Sequence, residues 1–276
     1  MPVWLPSQVE RSLAFFGNPG MYRLRPELFS APWSVTSFYD TAPLRRTLTE
    51  LVDLERLNAE ETRVVVGAVK VGTAEMEFFD RHRPGGLTLE HVMASGSLPP
   101  GFPMTSVNGD WYWDGGLFSN TPLSPAIDAL EEVEGGDRAA VRELIVVELF
   151  PMQAPVPRTM PDVVERMGRL QYTSRLKLDR KFFNRIDRVV DLIDKVDQAL
   201  PGNSDVRNDP LYRKVRGYRK INHFHVVTSS LPDELARASD FSRASIEGRI
   251  RAGYEDALAQ GIGRPAATEA APAGRI

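Results

Sequence analysis

The stretch PLRRTLTELVDLERLNAEETRVVVGAV, residues 43–69, decides the fold class. Its first half carries apolar residues at helical spacing, namely Leu44, Leu48, Leu51 and Val52. This pattern predicts an amphipathic helix. Its end, RVVVGAV (63–69), is a continuous apolar run rich in β-branched residues, which predicts a strand covered on both faces. A helix that leads into a buried strand is typical of α/β proteins.

The rest of the chain continues this alternation and then changes character. Further strands are predicted at 75–79, 111–113, 143–150 and 221–229, of which ELIVVELF (143–150) again has the apolar run of a buried strand. Short helices are predicted at 89–95, behind the N-cap Thr88, and after Ser124, with a final helix over 241–260. A proline-rich segment near 152–161 precedes a long, highly charged helical stretch over 162–196. We expect an α/β part over 1–150, a mainly helical extension over 151–262 and a disordered tail over 263–276.

Composition excludes several classes of function. The chain has 276 residues, a net charge of −3 and no cysteine. Without cysteine there are no disulfides, thiolate metal sites or cysteine nucleophiles. The charge balance gives no basic footprint for nucleic acid, so we expect no nucleic-acid partner. The opening MPVWLPSQVE lacks the basic and apolar regions of a secretory signal, and no window has the length of a membrane span, which predicts a soluble, cytoplasmic protein.

The candidate functional residue is Asp114, which ends the short aromatic strand WYWD (111–114) and runs directly into Gly115 and Gly116. Active sites of α/β sheets lie at strand ends, and two glycines let the backbone turn sharply and approach a ligand closely. The same Asp-Gly-Gly sequence is also common turn chemistry, in which the aspartate only caps the turn. The residues alone leave both interpretations open.

The surroundings of Asp114 resemble the patatin-like phospholipases. That family carries a catalytic aspartate in an Asp-Gly-Gly or Asp-Gly-Ala motif followed by asparagine and proline, which correspond here to Asn120 and Pro122. It also carries an alanine-serine-small-leucine-proline run, found here as ASGSLP (94–99). The segment QYTSRLKLDR (171–180) looks like the C-terminal extension of one bacterial subgroup. The resemblance thus covers most of the chain.

The resemblance implies a fold and an activity. The implied fold is a partial doubly wound patatin-like α/β sheet with helices on both faces, followed by the mainly helical extension. The implied activity is hydrolysis of lipid acyl esters in lipid metabolism by a Ser-Asp dyad, with Asp114 accepting the proton of a serine nucleophile. This chemistry needs no cofactor and no metal, and its partner is a lipid or acyl-ester substrate.

The chain departs from the family pattern at the nucleophile. Neither a Gly-x-Ser-x-Gly elbow nor a Gly-Gly-Gly oxyanion loop occurs in the 276 residues. We therefore expect residues 1–150 to be the back part of an acyl hydrolase domain that is inactive alone. With the central strand missing, open edges and uncovered apolar faces predict poor solubility. The alternative is a non-catalytic remnant of the fold that binds lipid or protein.

Three other features have weaker functional interpretations. Ser95 and Ser97 lack the glycine two residues earlier that an elbow requires, so we expect their hydroxyls to make helix-end hydrogen bonds. His223 and His225 would share one strand face, which either leaves them partly exposed or offers two ligands to a metal that lacks a third. The basic stretch RNDPLYRKVRGYRK (207–220) is either a solvated helix face or a peripheral contact with anionic lipid headgroups.

Overall fold

The structure, a computed structural model, combines helices and strands in one α/β arrangement. It describes residues 17–59, 62–131, 141–150, 155–172, 176–231 and 241–263. The predicted α/β class is confirmed. The predicted tail lies outside the described residues except for Gly263.

The strands of the described segments form three separate sheets. Their bounds are β1 Gly17–Asn18, β2 Tyr22–Leu24, β3 Tyr39–Asp40, β4 Val65–Lys70, β5 Met76–Asp80, β6 Thr105–Val107, β7 Asp110–Asp114, β8 Glu143–Glu148 and β9 His223–Thr228. The sheet orders are β1-β2-β3, β5-β4-β7-β6 and β8-β9. Each strand expected from the sequence is therefore present within the described residues.

The helices alternate with strands up to residue 131 and dominate afterwards. Their bounds are α1 Glu27–Ser30, α2 Ala42–Leu51, α3 Leu54–Ala59, α4 Leu89–Ser95, α5 Leu123–Glu131, α6 Met160–Tyr172, α7 Leu176–Ala199, α8 Pro210–Gly217 and α9 Arg243–Ala259. Short 3-10 turns cover Pro32–Ser34, Gly115–Leu117 and Asp205–Asn208. The amphipathic helix predicted from residue 43 is divided between α2 and α3. None of the helices in the described part of the chain combines the length and apolarity that crossing a bilayer requires.

The four-stranded sheet is antiparallel and holds the main core. Strand β4 pairs with β5 on one side and with β7 on the other. One face is covered by α4. Thr88 is the N-cap of this helix, and its backbone N–H donates a hydrogen bond to His91 Nδ1 in a capping box. The buried cluster between them consists of Ala68, Phe79, Leu87, Ala94, Val107 and Tyr112. This packing fixes β7, and with it the end of β7 where Asp114 lies.

The parallel pairing expected in an α/β sheet occurs between β8 and β9. In its register, Glu143 lies opposite His223 at one end and Glu148 lies opposite Thr228 at the other. The prediction that β8 is buried on both faces is wrong for the described structure, because its side chains alternate between buried and exposed. Leu144 and Val146 pack with Leu123 of α5, whereas Ile145 and Val147 are exposed. A continuous apolar run therefore forms a strand here with only one face covered.

Candidate active site

Asp114 is the last residue of strand β7, one of the two inner strands of the four-stranded sheet, and lies beside β4. Within β7, Tyr112 is buried in the core and hydrogen-bonds Glu77, while Trp111 on the other face is half exposed. The register places Asp114 opposite Ala68 of β4. The strand ends there because the next three residues, Gly115–Leu117, form a 3-10 turn. The aspartate thus lies at a strand end, as its sequence position predicted.

The backbone around Asp114 is fixed on both sides. Its N–H donates to the Ser97 carbonyl oxygen at 3.0 Å, which ties the strand end to the segment after α4. One of its carboxylate oxygens, Oδ1, accepts from the Gly116 N–H at 2.7 Å. Burial raises the pKa of the Asp114 carboxyl above its ordinary value, and the Gly116 N–H only partly opposes this. Asp114 is therefore a desolvated carboxylate in a defined position, better suited to accept a proton than an exposed aspartate.

The glycine after Asp114 is required by a close backbone approach. A Cβ on Gly115 would lie 2.6 Å from the Gly67 carbonyl oxygen and 2.8 Å from Met76 Cε. Gly67 is itself crowded, since a Cβ there would lie 2.5 Å from the same Met76 methyl. The absence of a Cβ on Gly115 therefore lets the turn lie directly against the β4 backbone at Gly67.

The other residues of the predicted motif lie at or after the turn. A Cβ on Gly116 would come within 3.1 Å of Asp114 Oδ1 and 3.5 Å of Asn120 Oδ1, so the Asn120 amide lies beside the turn. Pro122 directly precedes α5, which begins at Leu123. The structure thus brings Asp114, Gly115, Gly116 and Asn120 together.

The hydroxyls of Ser95 and Ser97 make the helix-end hydrogen bonds expected from the sequence. Ser95 Oγ donates to the Val92 carbonyl oxygen at 2.9 Å, and Ser97 Oγ donates to the Met93 carbonyl oxygen at 2.9 Å. Ser97 Oγ also lies 2.8 Å from Thr105 Oγ1. Because the Ser97 proton is directed to Met93, the Thr105 hydroxyl donates to Ser97. Both serines are held as structural groups.

The two histidines of β9 share a face, as predicted. Their rings stack with centroids 6.2 Å apart, and His225 Nε2 lies 3.0 Å from Glu143 Oε1 of β8. Within the described ranges, no group of three or more His, Cys, Asp or Glu residues could hold a metal ion. His225 thus contacts both the His223 ring on its own strand and Glu143 on the neighbouring strand.

Several cations of the basic stretch 207–220 are engaged inside the protein. Arg207 and Arg216 both contact the Asp197 carboxylate, at 2.7 and 3.1 Å. Lys220 pairs with Asp191. These contacts connect α8 and its flanking segments to α7, so the stretch serves the packing of the extension.

Two supporting groups of the site were not identified from the sequence. The Ser97 carbonyl holds the Asp114 backbone, and the Gly67 carbonyl forms the surface on which Gly115 rests. A signal existed for Gly67, because a glycine inside an apolar strand often marks the close approach of another backbone. No side-chain pattern could have marked a carbonyl acceptor at Ser97.

Comparison with known families gives two matches. A family model described as Patatin-like phospholipase matches residues 9–127, which include Asp114 and the following turn. A second model, described as Patatin phospholipase, matches residues 170–262, from the end of α6 through α9. A search of curated proteins found no match. The matched segments thus cover the sheet that carries Asp114 and the helices α7, α8 and α9.

Proposed function

We propose that this chain, which belongs to the patatin-like phospholipase family, contributes the proton acceptor of a Ser-Asp dyad that hydrolyses lipid acyl esters. The family is of the lipid acyl hydrolase kind, and the proposal assigns the acceptor role to Asp114. Gly115 and Gly116 shape the turn after it, and Asn120 and Pro122 support the loop that leads to α5.

The position of Asp114 is the observation that carries the proposal. A surface aspartate that only capped a turn would keep an ordinary or lowered pKa, because its hydrogen bonds stabilise the charged form. Burial instead raises the pKa of Asp114 despite the hydrogen bond from Gly116. Perturbed carboxyls of this kind are concentrated at functional sites.

In each half of the proposed reaction, Asp114 accepts one proton from the attacking group and then gives it to the leaving group. Serine Oγ attacks the ester carbonyl carbon while its proton passes to the Asp114 carboxylate. The proton then passes to the alkoxide oxygen of the departing alcohol as the ester C–O bond breaks. In the second half, water attacks the acyl-serine and gives its proton to Asp114, and serine Oγ regains that proton as the fatty acid leaves.

In the proposal, the serine is supplied from outside these 276 residues, which contain no Gly-x-Ser-x-Gly elbow. In the proposal, residues 1–150 supply the aspartate part of the acyl hydrolase domain and 151–262 form a helical extension. The chain alone is then inactive. We also expect the protein to be cytoplasmic and to contact lipid peripherally. The alternative is a role in binding lipid or protein without catalysis, which the absence of the Gly-x-Ser-x-Gly motif favours.

The test is ester hydrolysis by the chain as written and by a version extended upstream in frame. We expect activity only in the extended protein, and Asp114→Asn should lower its kcat by roughly 10²–10⁴-fold because a general base is lost. Activity should rise as pH passes through the raised pKa of Asp114.

Asp110→Asn is the matched control, because Asp110 begins the same strand and forms an ion pair with Lys70. It should leave kcat unchanged. Hydrolysis by the 276-residue chain that survives Asp114→Asn would refute the proposal. Binding of lipid without hydrolysis by either version would support the non-catalytic alternative.

A further inference from the structure

Helix α6 presents an apolar stripe to solvent. Its members recur at intervals of three and four residues and are Met160, Val163, Met167 and Leu170. All four are exposed, with 72% of Met160 and 62% of Met167 accessible. Apolar side chains at this spacing form one face of the helix, so the stripe is a continuous strip of apolar surface in contact with water.

The helix that carries this stripe lies beside the candidate active site. Helix α6 contacts the 3-10 turn Gly115–Leu117, which begins directly after Asp114. The turn and the residue after it add two exposed apolar side chains, Leu117 and Phe118. The helix that carries the stripe therefore lies near the backbone that directly follows Asp114.

We propose that the α6 stripe, together with Leu117 and Phe118, binds the acyl chain of the ester. This inference rests on the proposed function. An ester whose carbonyl is attacked by a serine beside Asp114 must extend its acyl chain over neighbouring apolar surface. The stripe spans the eleven residues from Met160 to Leu170, and the ten steps between them rise about 15 Å along the helix, which suits an extended long acyl chain.

The side chains of the stripe suit a flexible ligand. Two of the four are methionines, whose unbranched, polarisable side chains adapt to chains of different length and curvature. A depression elsewhere in the structure, of about 450 Å³, is lined by Leu51, Asp53, Arg56 and Val64 among others. That depression lies between α2, α3 and β4 and includes two charged side chains, so it suits an acyl chain less well.

The test changes the stripe without changing helix propensity. Met160→Gln and Met167→Gln keep the side-chain length and nearly the same helix propensity while adding a polar amide. In the upstream-extended protein, we expect kcat/KM for a dodecanoyl 4-nitrophenyl ester to fall about fivefold, because contact with the chain is weakened. The acetyl ester should be hydrolysed at the unchanged rate. Ile250→Gln on α9, where Ile250 is 68% exposed, is the control and should change neither rate.

A binding measurement separates this inference from the proposed function. A fluorescent long-chain fatty acid, kept below its micelle concentration, is titrated into the 276-residue chain carrying Asp114→Asn. The Kd should rise about fivefold in the two methionine variants and stay unchanged in Ile250→Gln. If no version hydrolyses esters but this shift is observed, the proposed function fails and the acyl-binding surface stands. Equal losses at all chain lengths, an unchanged Kd, or a change only in oligomeric state would overturn the inference.

Discussion

The face of the Asp114 sheet that α4 covers and the outer faces of α6 and α9 differ in how far their apolar side chains are buried. In the sheet, Ala68, Phe79 and Leu87 lie in one closed cluster between the strands and α4. In the extension, α6 and α9 expose apolar residues such as Met160 and Ile250. The covered face of the sheet is therefore stabilised by its own packing, whereas α6 and α9 retain apolar surface that a ligand or a further element can cover.

The largest expected effect on the free energy of unfolding is at Phe79, in the covered cluster of the sheet. Its ring stacks on His91 at 4.3 Å, meets Tyr112 edge-on at 5.5 Å and lies under the Arg83 guanidinium at 4.8 Å. Phe79→Ala should lower the free energy of unfolding by about 3–5 kcal/mol, because it opens a cavity in the core. Ile250→Ala should change it by less than about 0.5 kcal/mol. Urea denaturation measures both, and similar losses would mean that α9 is packed more tightly than its exposure indicates.

A smaller effect compares two glycines under the same substitution. Gly115→Ala should destabilise the fold by about 1–3 kcal/mol, because its Cβ meets the Gly67 carbonyl, a backbone atom that cannot move aside. Gly168→Ala in α6 should instead stabilise the chain by about 0.5–1 kcal/mol, since nothing lies within 4 Å and alanine favours a helix. Thermal unfolding of the two variants tests the signs. A stable Gly115→Ala protein would contradict the close approach of the turn to β4.

The smallest effect depends on pH and compares two aspartates of the sheet. Burial raises the pKa of Asp114, so the folded protein holds a proton on this carboxyl at pH values where the unfolded chain has lost it. The contribution of this proton to the free energy of unfolding is fully present below the unfolded pKa of about 3.9 and is lost as pH rises through the folded pKa. Asp114→Asn should therefore stabilise the protein at neutral pH and have little effect in acid. Melting temperatures measured from pH 3 to 8 would show this.

Asp80 supplies a control of opposite sign. Burial works to raise its pKa, but the hydrogen bonds from Arg63 and the His82 N–H outweigh burial and lower it. Its contribution to stability is present above the unfolded pKa and is lost as pH falls through the folded value. Asp80→Asn should thus destabilise the protein at neutral pH. Equal shifts for the two variants would show that the surroundings of Asp114 do not disfavour its charge.

The local features were predictable from the sequence, and the distant pairings were not. The N-cap Thr88, the strand that ends at Asp114 and the turn at Gly115 depend on neighbouring residues, so their signals are visible in short windows. The contact between Gly67 and Gly115 depends on how β4 and β7 align, which no short window contains.

The apolar run at 143–150 shows a second limit of sequence patterns. The run predicted a strand, and β8 is a strand, but Ile145 and Val147 face outward. Coverage of a face depends on which elements pack against it, and α5 packs against the face of Leu144 and Val146. Periodicity describes the side chains of a strand and leaves its neighbours unspecified.

The pairing of β8 with β9 also sets the order in which the chain can be assembled during synthesis. Arg142 and Asn222, joined by a hydrogen bond at the start of this pairing, are 80 residues apart in the chain. A ribosome adding roughly 5–20 residues per second needs on the order of several seconds to cover that distance. During this interval the edge of β8 that β9 later covers is open to other strands. Segments 155–172 and 176–217, which lie between the two strands, must therefore emerge before this parallel pair can close.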